Sequence, residues 1–396
     1  MTPRRILVTD GSQRSALAVV RSLGRAGHRV FVCATRAPSL AGASRFAVAQ
    51  GEVADGLHAP AQFVEDVRSL IERWRIDMLI PIAESSLLAL LPEREQLGVA
   101  IPFPDADSFR AISNKQALLE SAARVGIAVP RHLVLRTPED ASAIDPALLD
   151  YPVVLKPARS VAEHGGQRVA TGVRHVADAD ALRPELASLS AAAFPLMVQQ
   201  RIVGPGIGIF LLTWQGAELA AFAHRRLREK PPSGGVSVYA ESVIADPQLL
   251  ERSRALLEQF KWNGVAMVEY KLHVSTGIPY LMEVNGRFWG SLQLAIDAGV
   301  DFPALLVAAA SDESPQPVTS YRAGTRSRWW WGDVDHLLAR WSKGAKALSL
   351  PADAPSRMRS TFDFLVFWRP RDRSDVLRLG DPRPFFRETI DWFRGR

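Results

Sequence analysis

The stretch from Pro279 to Ser291, Pro-Tyr-Leu-Met-Glu-Val-Asn-Gly-Arg-Phe-Trp-Gly-Ser, carries charge where the core face of a strand is ordinarily apolar. Side chains alternate along an extended chain, so Leu281, Glu283, Asn285 and Arg287 are expected on one face. The preceding run from Gly264 to Leu272 also reads as a strand, with Ser275-Thr276-Gly277 as the turn between them. A hairpin centred on Thr276 sets Glu269 directly opposite Glu283. Like charges opposed across strands repel. A hard cation between them would reverse that, and two carboxylates plus the amide oxygen of Asn285 are the oxygen ligands that Mg²⁺ accepts beside substrate phosphates. A hairpin edge whose charges simply face water would show the same residues, and the hairpin alone leaves both readings open.

The N-terminal region places this hairpin in context. Ile6 to Asp10, a helical pattern to Gly27 and Val30 to Ala34 form a strand, helix, strand unit, which predicts a parallel, doubly wound sheet. Hydride transfer is disfavoured, because only Gly11 follows the first strand where a dinucleotide fingerprint needs three spaced glycines. A helix over Phe63 to Trp74 and a buried strand over Met78 to Ile82 follow. Asp10, Gly11 and Glu84 then lie at carboxyl ends of strands, where such sheets gather ligands, although caps and turns explain them equally well.

Further candidates come in order along the chain. Ser113 and Gln116 form a capping-box pattern, predicting a helix to about Gly126 with Lys115 in its first turn. A cation there opposes the helix dipole, which makes Lys115 a candidate phosphate ligand. Tyr151 to Pro157 reads as an apolar strand delivering Lys156, costly if buried without a partner. Gly165 and Gly166 could bring backbone N–H groups close to phosphate oxygens, as could an ordinary hairpin turn. Val198-Gln199-Gln200-Arg201-Ile202 ends a strand and opens a linker. The segment His224 to Lys230 contains Arg225 and Arg226 in a positive cluster suited to carboxylate or polyanion recognition if it faces a cleft. Ser314 to Pro317 marks a boundary, and Trp329-Trp330-Trp331 reads as a packing element.

Composition narrows the classes. At 396 residues the chain exceeds one small core. Its single cysteine, Cys33, excludes an intrachain disulfide and a cysteine-based zinc site. No apolar run is long enough to span a bilayer and no signal-like segment opens the sequence, so a cytoplasmic protein is expected. The net charge of +6 is concentrated: from Ser320 on there are 16 Lys/Arg against 9 Asp/Glu, and elsewhere 32 against 33. The tail's charges alternate with aromatic residues rather than forming a block, which disfavours a nucleic-acid partner. Oligomeric state is left open, a homodimer being compatible.

Taken together, these features in this order resemble the ATP-grasp superfamily, in particular its carboxylate-amine ligase branch, over residues 4 to 310. The resemblance rests on Asn114-Lys115-Gln116, Gly126 to Pro130, Val153 to Pro157, Val198 to Ile202, Glu269, and the Glu-x-Asn-x-Arg signature at Glu283, Asn285 and Arg287. It implies a Rossmann-like pre-ATP-grasp domain (1–104), a small lid subdomain with its linker helix (105–195), a core subdomain with the metal-binding hairpin (196–312) and a basic, Trp-rich extension (313–396). It also implies that Lys115 and Lys156 grip the triphosphate of ATP, with Gly165 and Gly166 in the phosphate loop. Gln199, Gln200 and Ile202 would meet adenine, and Glu269, Glu283 and Asn285 would hold Mg²⁺. Arg287 would act on the transferring phosphoryl group, with Arg225 and Arg226 serving the substrate. Members convert a carboxylate to an acyl phosphate and let an amine displace phosphate. A carboxylate-thiol ligase, a kinase or a regulatory module without turnover would share the scaffold. The sequence departs from the family pattern in having Gln199-Gln200 where a Glu is usual, no acid over 204–208, and a glycine-poor loop over 158–167.

Overall fold

The computed structural model describes residues 2–157, 161–164, 167–170, 172–345, 347–348, 350, 354–366 and 369–395, with backbone alone over 161–164 and 167–170. The chain opens with β1 (Arg5–Val8), α1 (Arg14–Arg25), β2 (Arg29–Ala34), β3 (Ala47–Glu52), α2 (Pro60–Trp74), β4 (Met78–Ile80) and α3 (Glu84–Leu90). The four strands form one parallel sheet in the order β3-β2-β1-β4, as the alternation of strands and helices predicts. β1 and β4 are buried throughout, apart from half-buried Arg5. Asp10, just past β1, takes a left-handed backbone with φ of 56°. Its carboxylate accepts from the backbone of Ile82 and Ala83 and from Ser86 Oγ at 2.8–3.2 Å, pinning the loop that leads into α3.

After the short α4 (Arg94–Leu97) come α5 (Ala106–Ser113) and α6 (Lys115–Arg124). The cap between them is Asn114, whose Oδ1 accepts from the backbone of Gln116 and Ala117. Ser113 instead closes α5, donating to Phe109 O at 2.8 Å, so the expected Ser113 capping box does not form. Lys115 is nonetheless the first residue of the helix.

A small antiparallel sheet follows, built from β5 (His132–Leu135), β6 (Val153–Pro157), β9 (Arg174–Val176) and β10 (Leu196–Gln200) in the order β5-β10-β6-β9. α7 (Pro138–Ala143) and α8 (Ala179–Ala187) accompany it, and β7 (Val161–His164) pairs with β8 (Gln167–Ala170) as a separate ribbon. Its core, including Leu135, Val153, Leu155, Leu182, Leu196 and Val198, is distinct from the main one.

The main antiparallel sheet contains β11 (Gly206–Trp214), β12 (Ala217–Lys230), β13 (Val236–Ser242), β14 (Gly264–Leu272) and β15 (Pro279–Asn285), with α9 (Pro247–Gln259) between β13 and β14. The apolar helices α10 (Leu292–Ala298) and α11 (Phe302–Ala310) pack into its core. No single helix among the described residues is long and apolar enough to cross a membrane.

The tail is not an appendage. β16 (Arg326–Arg328) and β17 (Asp372–Ser374) extend the main sheet to seven strands in the order β15-β14-β11-β12-β13-β16-β17. α12 (Trp330–Ser342), α13 (Arg357–Leu365) and α14 (Arg383–Phe393) complete the chain. α12 packs on β12 and β13 and is fastened by Asp333, which accepts from Arg228 Nε and Nη2 and from Arg328 Nε, each at 2.6 Å. Trp329 donates to Glu388 at 2.7 Å, and Trp331 stacks on Trp392 with ring centroids 4.3 Å apart. The tryptophan run packs the tail's elements on one another, and Trp329 also lies under Arg14 and Lys230 of the body.

Candidate active site

The expected hairpin is formed by β14 and β15, and Glu269 pairs with Glu283 across it. The register shifts immediately beyond, at Met282, where β15 holds one residue more than its partner. A bulge of this kind puts two successive side chains on the same side. Leu281 therefore pairs with Tyr270 and is fully buried in the core, while Met282 joins Glu283 in a cavity. The expected shared face of Leu281, Glu283, Asn285 and Arg287 is corrected accordingly: Leu281 leaves it.

That cavity, about 520 Å³, lies between the small sheet and the main sheet. Lys156 of β6 and Gln199, Gln200 and Ile202 at the end of β10 line one side. Glu269, Glu283, Asn285 and Arg287 line the other, joined by Arg226, by the 231–235 turn that links β12 to β13, and by Val236 and Ser237 at the start of β13. Gln199 is buried, with its Nε2 set 3.6 Å from Met197 Sδ, and Ile202 is buried beside it.

Charge is closely matched in the cavity. Burial pushes Glu283 up, but the Asn285 amide, which donates to Oε1 at 2.8 Å, and the charges of Lys115, Lys156 and Arg287 hold it below the usual carboxylate range. Burial lowers both lysines, and Glu283 opposes that at each. Burial raises Glu269 above the ordinary carboxylate value, with Arg226 pulling it down and Glu283 adding to the rise. Lys115 does not line the cavity but stands within electrostatic reach of Glu283 and of Glu84, which α3 brings in from the parallel sheet.

Two expectations are placed differently. Arg225 leaves the cavity, because adjacent residues of a strand point to opposite faces. It is half-exposed and donates to Glu241 at 3.1 Å, alongside Arg326. Gly165 and Gly166 lie outside the described residues. The sequence reading also missed several lining residues. Lys271 is two residues beyond Glu269, so alternation alone assigns it to the same face. His175, Arg201 and Ser291 carry no such signal. His175 is lowered to about 4 by burial and by the nearby cations Arg201, Lys271 and Lys156. Ser291 meets the fully buried His224, Oγ to Nδ1 at 3.2 Å.

Two carboxylates and an amide on paired strands are a hard-oxygen set that fits Mg²⁺. Among the described residues no group of three or more His, Cys, Asp or Glu gathers, so the set suits an ion whose remaining ligands are phosphates and water.

The arrangement of sheets is similar to that of several solved ligase and carboxylase structures. Residues 193–331 match the family described as "ATP-grasp in the biosynthetic pathway with Ter operon". No curated protein sequence matches the chain. Among solved structures, an L-amino acid ligase from Bacillus licheniformis aligns with a TM-score of 0.62 at 17% identity, covering 79% of this chain and 75% of that one. A biotin carboxylase from Campylobacter jejuni, in complex with a β,γ-ATP ligand, aligns at 0.64 and 16% identity, over 82% and 74% of the two chains. An N5-carboxyaminoimidazole synthetase from Staphylococcus aureus complexed with ADP aligns at 0.62 and 13%, over 82% and 80%.

Proposed function

We propose that this protein is an ATP- and Mg²⁺-dependent ligase that activates a small carboxylate as an acyl phosphate and couples it to an amine, with an amino acid or related metabolite among its substrates. The observation that carries the reading is the opposed pair Glu269 and Glu283 in a cavity, with Lys115, Lys156 and Arg287 acting on Glu283. The neighbouring structures include enzymes named for amino acid ligation and for carboxylation, and two of them were solved with an adenine nucleotide.

In this reading Gln199, Gln200 and the Ile202 backbone meet adenine at the end of β10. Lys156 and Lys115 oppose the charge of the triphosphate. Glu269, Glu283 and Asn285 hold Mg²⁺, which when bound neutralises charge on the phosphates. A carboxylate oxygen attacks the γ-phosphorus and the bond to the ADP oxygen breaks. Arg287 stabilises the transferring group by a fixed, charge-assisted contact. The amine then attacks the acyl carbon, the bond from that carbon to the bridging oxygen breaks, and phosphate departs carrying that oxygen while the amine gives up a proton. The turn over 231–235 and Ser291 border the acceptor end. The domain limits given above, and a cytoplasmic setting, belong to the same proposal.

ATP hydrolysis that requires both an acid and an amine tests the reading. Glu283→Ala is expected to abolish it, and unchanged product formation in that variant would remove the assigned role.

A further inference from the structure

Arg226 carries a feature that the proposed chemistry does not use. Its side chain is 8% exposed and its guanidinium bridges two carboxylates, donating from Nη2 to Glu269 Oε2 at 2.6 Å and from Nη1 to Glu229 Oε1 at 2.9 Å. Nη1 also donates to Gly235 O at 2.8 Å, in the turn that lines the cavity. Its Nε is buried without an acceptor. Opposite, on β11, a Cβ at Gly206 would stand 2.8 Å from Arg226 Cδ, so the glycine leaves room for this side chain.

The two opposed carboxylates are thus balanced by different cations. Glu283 answers to Lys115, Lys156 and Arg287, whereas Glu269 is held by Arg226. Removing one member of a buried ion pair is strongly unfavourable unless another charge replaces it. A divalent cation arriving at Glu269 is such a replacement.

We propose that Arg226 is a positioning residue that competes with the metal for Glu269, and that yields it while remaining bound to Glu229 and Gly235. Metal binding and the placement of the 231–235 turn are then linked through one guanidinium. Arg201, beside Gln200 at the end of β10, donates to Ser233 O of the same turn at 3.5 Å, so the turn is held at Ser233 as well as at Gly235. The inference rests on the assignment of Glu269 and Glu283 as metal carboxylates in the proposed function.

Mn²⁺ binding, followed by loss of the free-ion paramagnetic resonance signal with and without ADP, tests it on the full chain. Wild type should bind Mn²⁺, and Glu283→Ala should weaken binding at least tenfold, which tests the site assignment by itself. Arg226→Met should bind Mn²⁺ at least tenfold more tightly than wild type. Its melting temperature should fall in chelator and recover with Mn²⁺. Gly206→Ala keeps every charge but crowds Arg226, so tighter binding there separates a displaced contact from a simple change of field, and it serves if Arg226→Met does not fold. Unchanged or weaker Mn²⁺ binding in the foldable variants overturns the inference while the Glu283→Ala result stands. Absence of Mn²⁺ binding in wild type overturns both. A purely structural arginine would lower the melting temperature with and without Mn²⁺ and leave its affinity unchanged.

Discussion

At the scale of single residues, the site depends on a few charges held out of water. Lys156 is half-buried and lines the cavity that Glu283 also lines, so truncating it removes a cation that a polyphosphate would otherwise meet there. Lys156→Met is expected to lower kcat/KM for ATP by about a hundredfold or more, a loss of ~3 kcal/mol of transition-state stabilisation. Steady-state kinetics with ATP varied would show it, and an unchanged value would remove Lys156 from the phosphate site. The opposition of Glu269 and Glu283 was legible from the sequence only through a hairpin centred on Thr276, and the strands beside the turn pair one residue off that centring, Leu272 with Pro279, until the extra residue at Met282 restores it. The extra residue at Met282 was not, since a bulge is set by packing rather than by composition. Arg225 and Arg226 show the complementary lesson: a positive cluster is visible in sequence, but where a strand is regular, neighbours point to opposite faces, and here only Arg226 reaches the cleft.

Among the elements, α12 and α14 brace the strands that carry the site. Asp333 is almost fully buried and binds both Arg228 of β12 and Arg328 of β16. Asp333→Ala would leave two largely buried guanidinium groups without their carboxylate, so a loss of about 3–5 kcal/mol is expected in chemical denaturation. The wild-type midpoint in that variant would contradict this bracing role. On α14, burial pushes Glu388 up to about 7, against the pull of the Trp329 indole hydrogen bond and of Arg14. The unfolded carboxyl ionises near its ordinary 4.5, so between these values the folded state binds the extra proton. The stability it supplies is full below about pH 4.5 and is lost as pH rises through 7, by at most ~3 kcal/mol. Glu388→Gln should flatten that part of the melting temperature profile, and an equal slope in both proteins would contradict it. Of the helices and strands, α1, α2, α6, β1, β2, β4, β6, β14 and β15 were legible from periodicity and turn residues, whereas those of the tail were not. The cap at Asn114 rather than Ser113 was not, because both residue types cap well and only the preceding helix decides between them.

Across the whole molecule, the tail ties the parallel sheet to the main sheet. Arg21 of α1 is fully buried and donates from Nε to Asp381 at 2.9 Å, across 360 residues of sequence. Asp381 also accepts from Ser44 Oγ at 2.7 Å and from the Arg45 backbone at 2.8 Å. Arg14 pairs with Asp375 and lies over Trp329, its guanidinium carbon 4.0 Å from the ring centroid. Asp381→Ala is expected to lower the melting temperature by several degrees and to speed limited proteolysis after residue 310. Such pairings cannot be read from sequence, where the tail shows only alternating arginine and aromatic residues. The order of the two lysines, the end of β10 and the paired carboxylates was legible because each sits on a short local pattern. The side of the cavity away from β10 is assembled from β12, the 231–235 turn and Ser291 just ahead of α10, distant segments whose meeting depends on the whole sheet. The central claim, that this cavity transfers phosphate from ATP to a carboxylate, is tested most directly by incubating the enzyme with ATP, Mg²⁺, an amine and a panel of carboxylates labelled with heavy oxygen. The account predicts that released phosphate carries one labelled oxygen with wild type and that no labelled phosphate forms with Glu283→Ala. Phosphate released without label, or AMP and pyrophosphate as products, would contradict it.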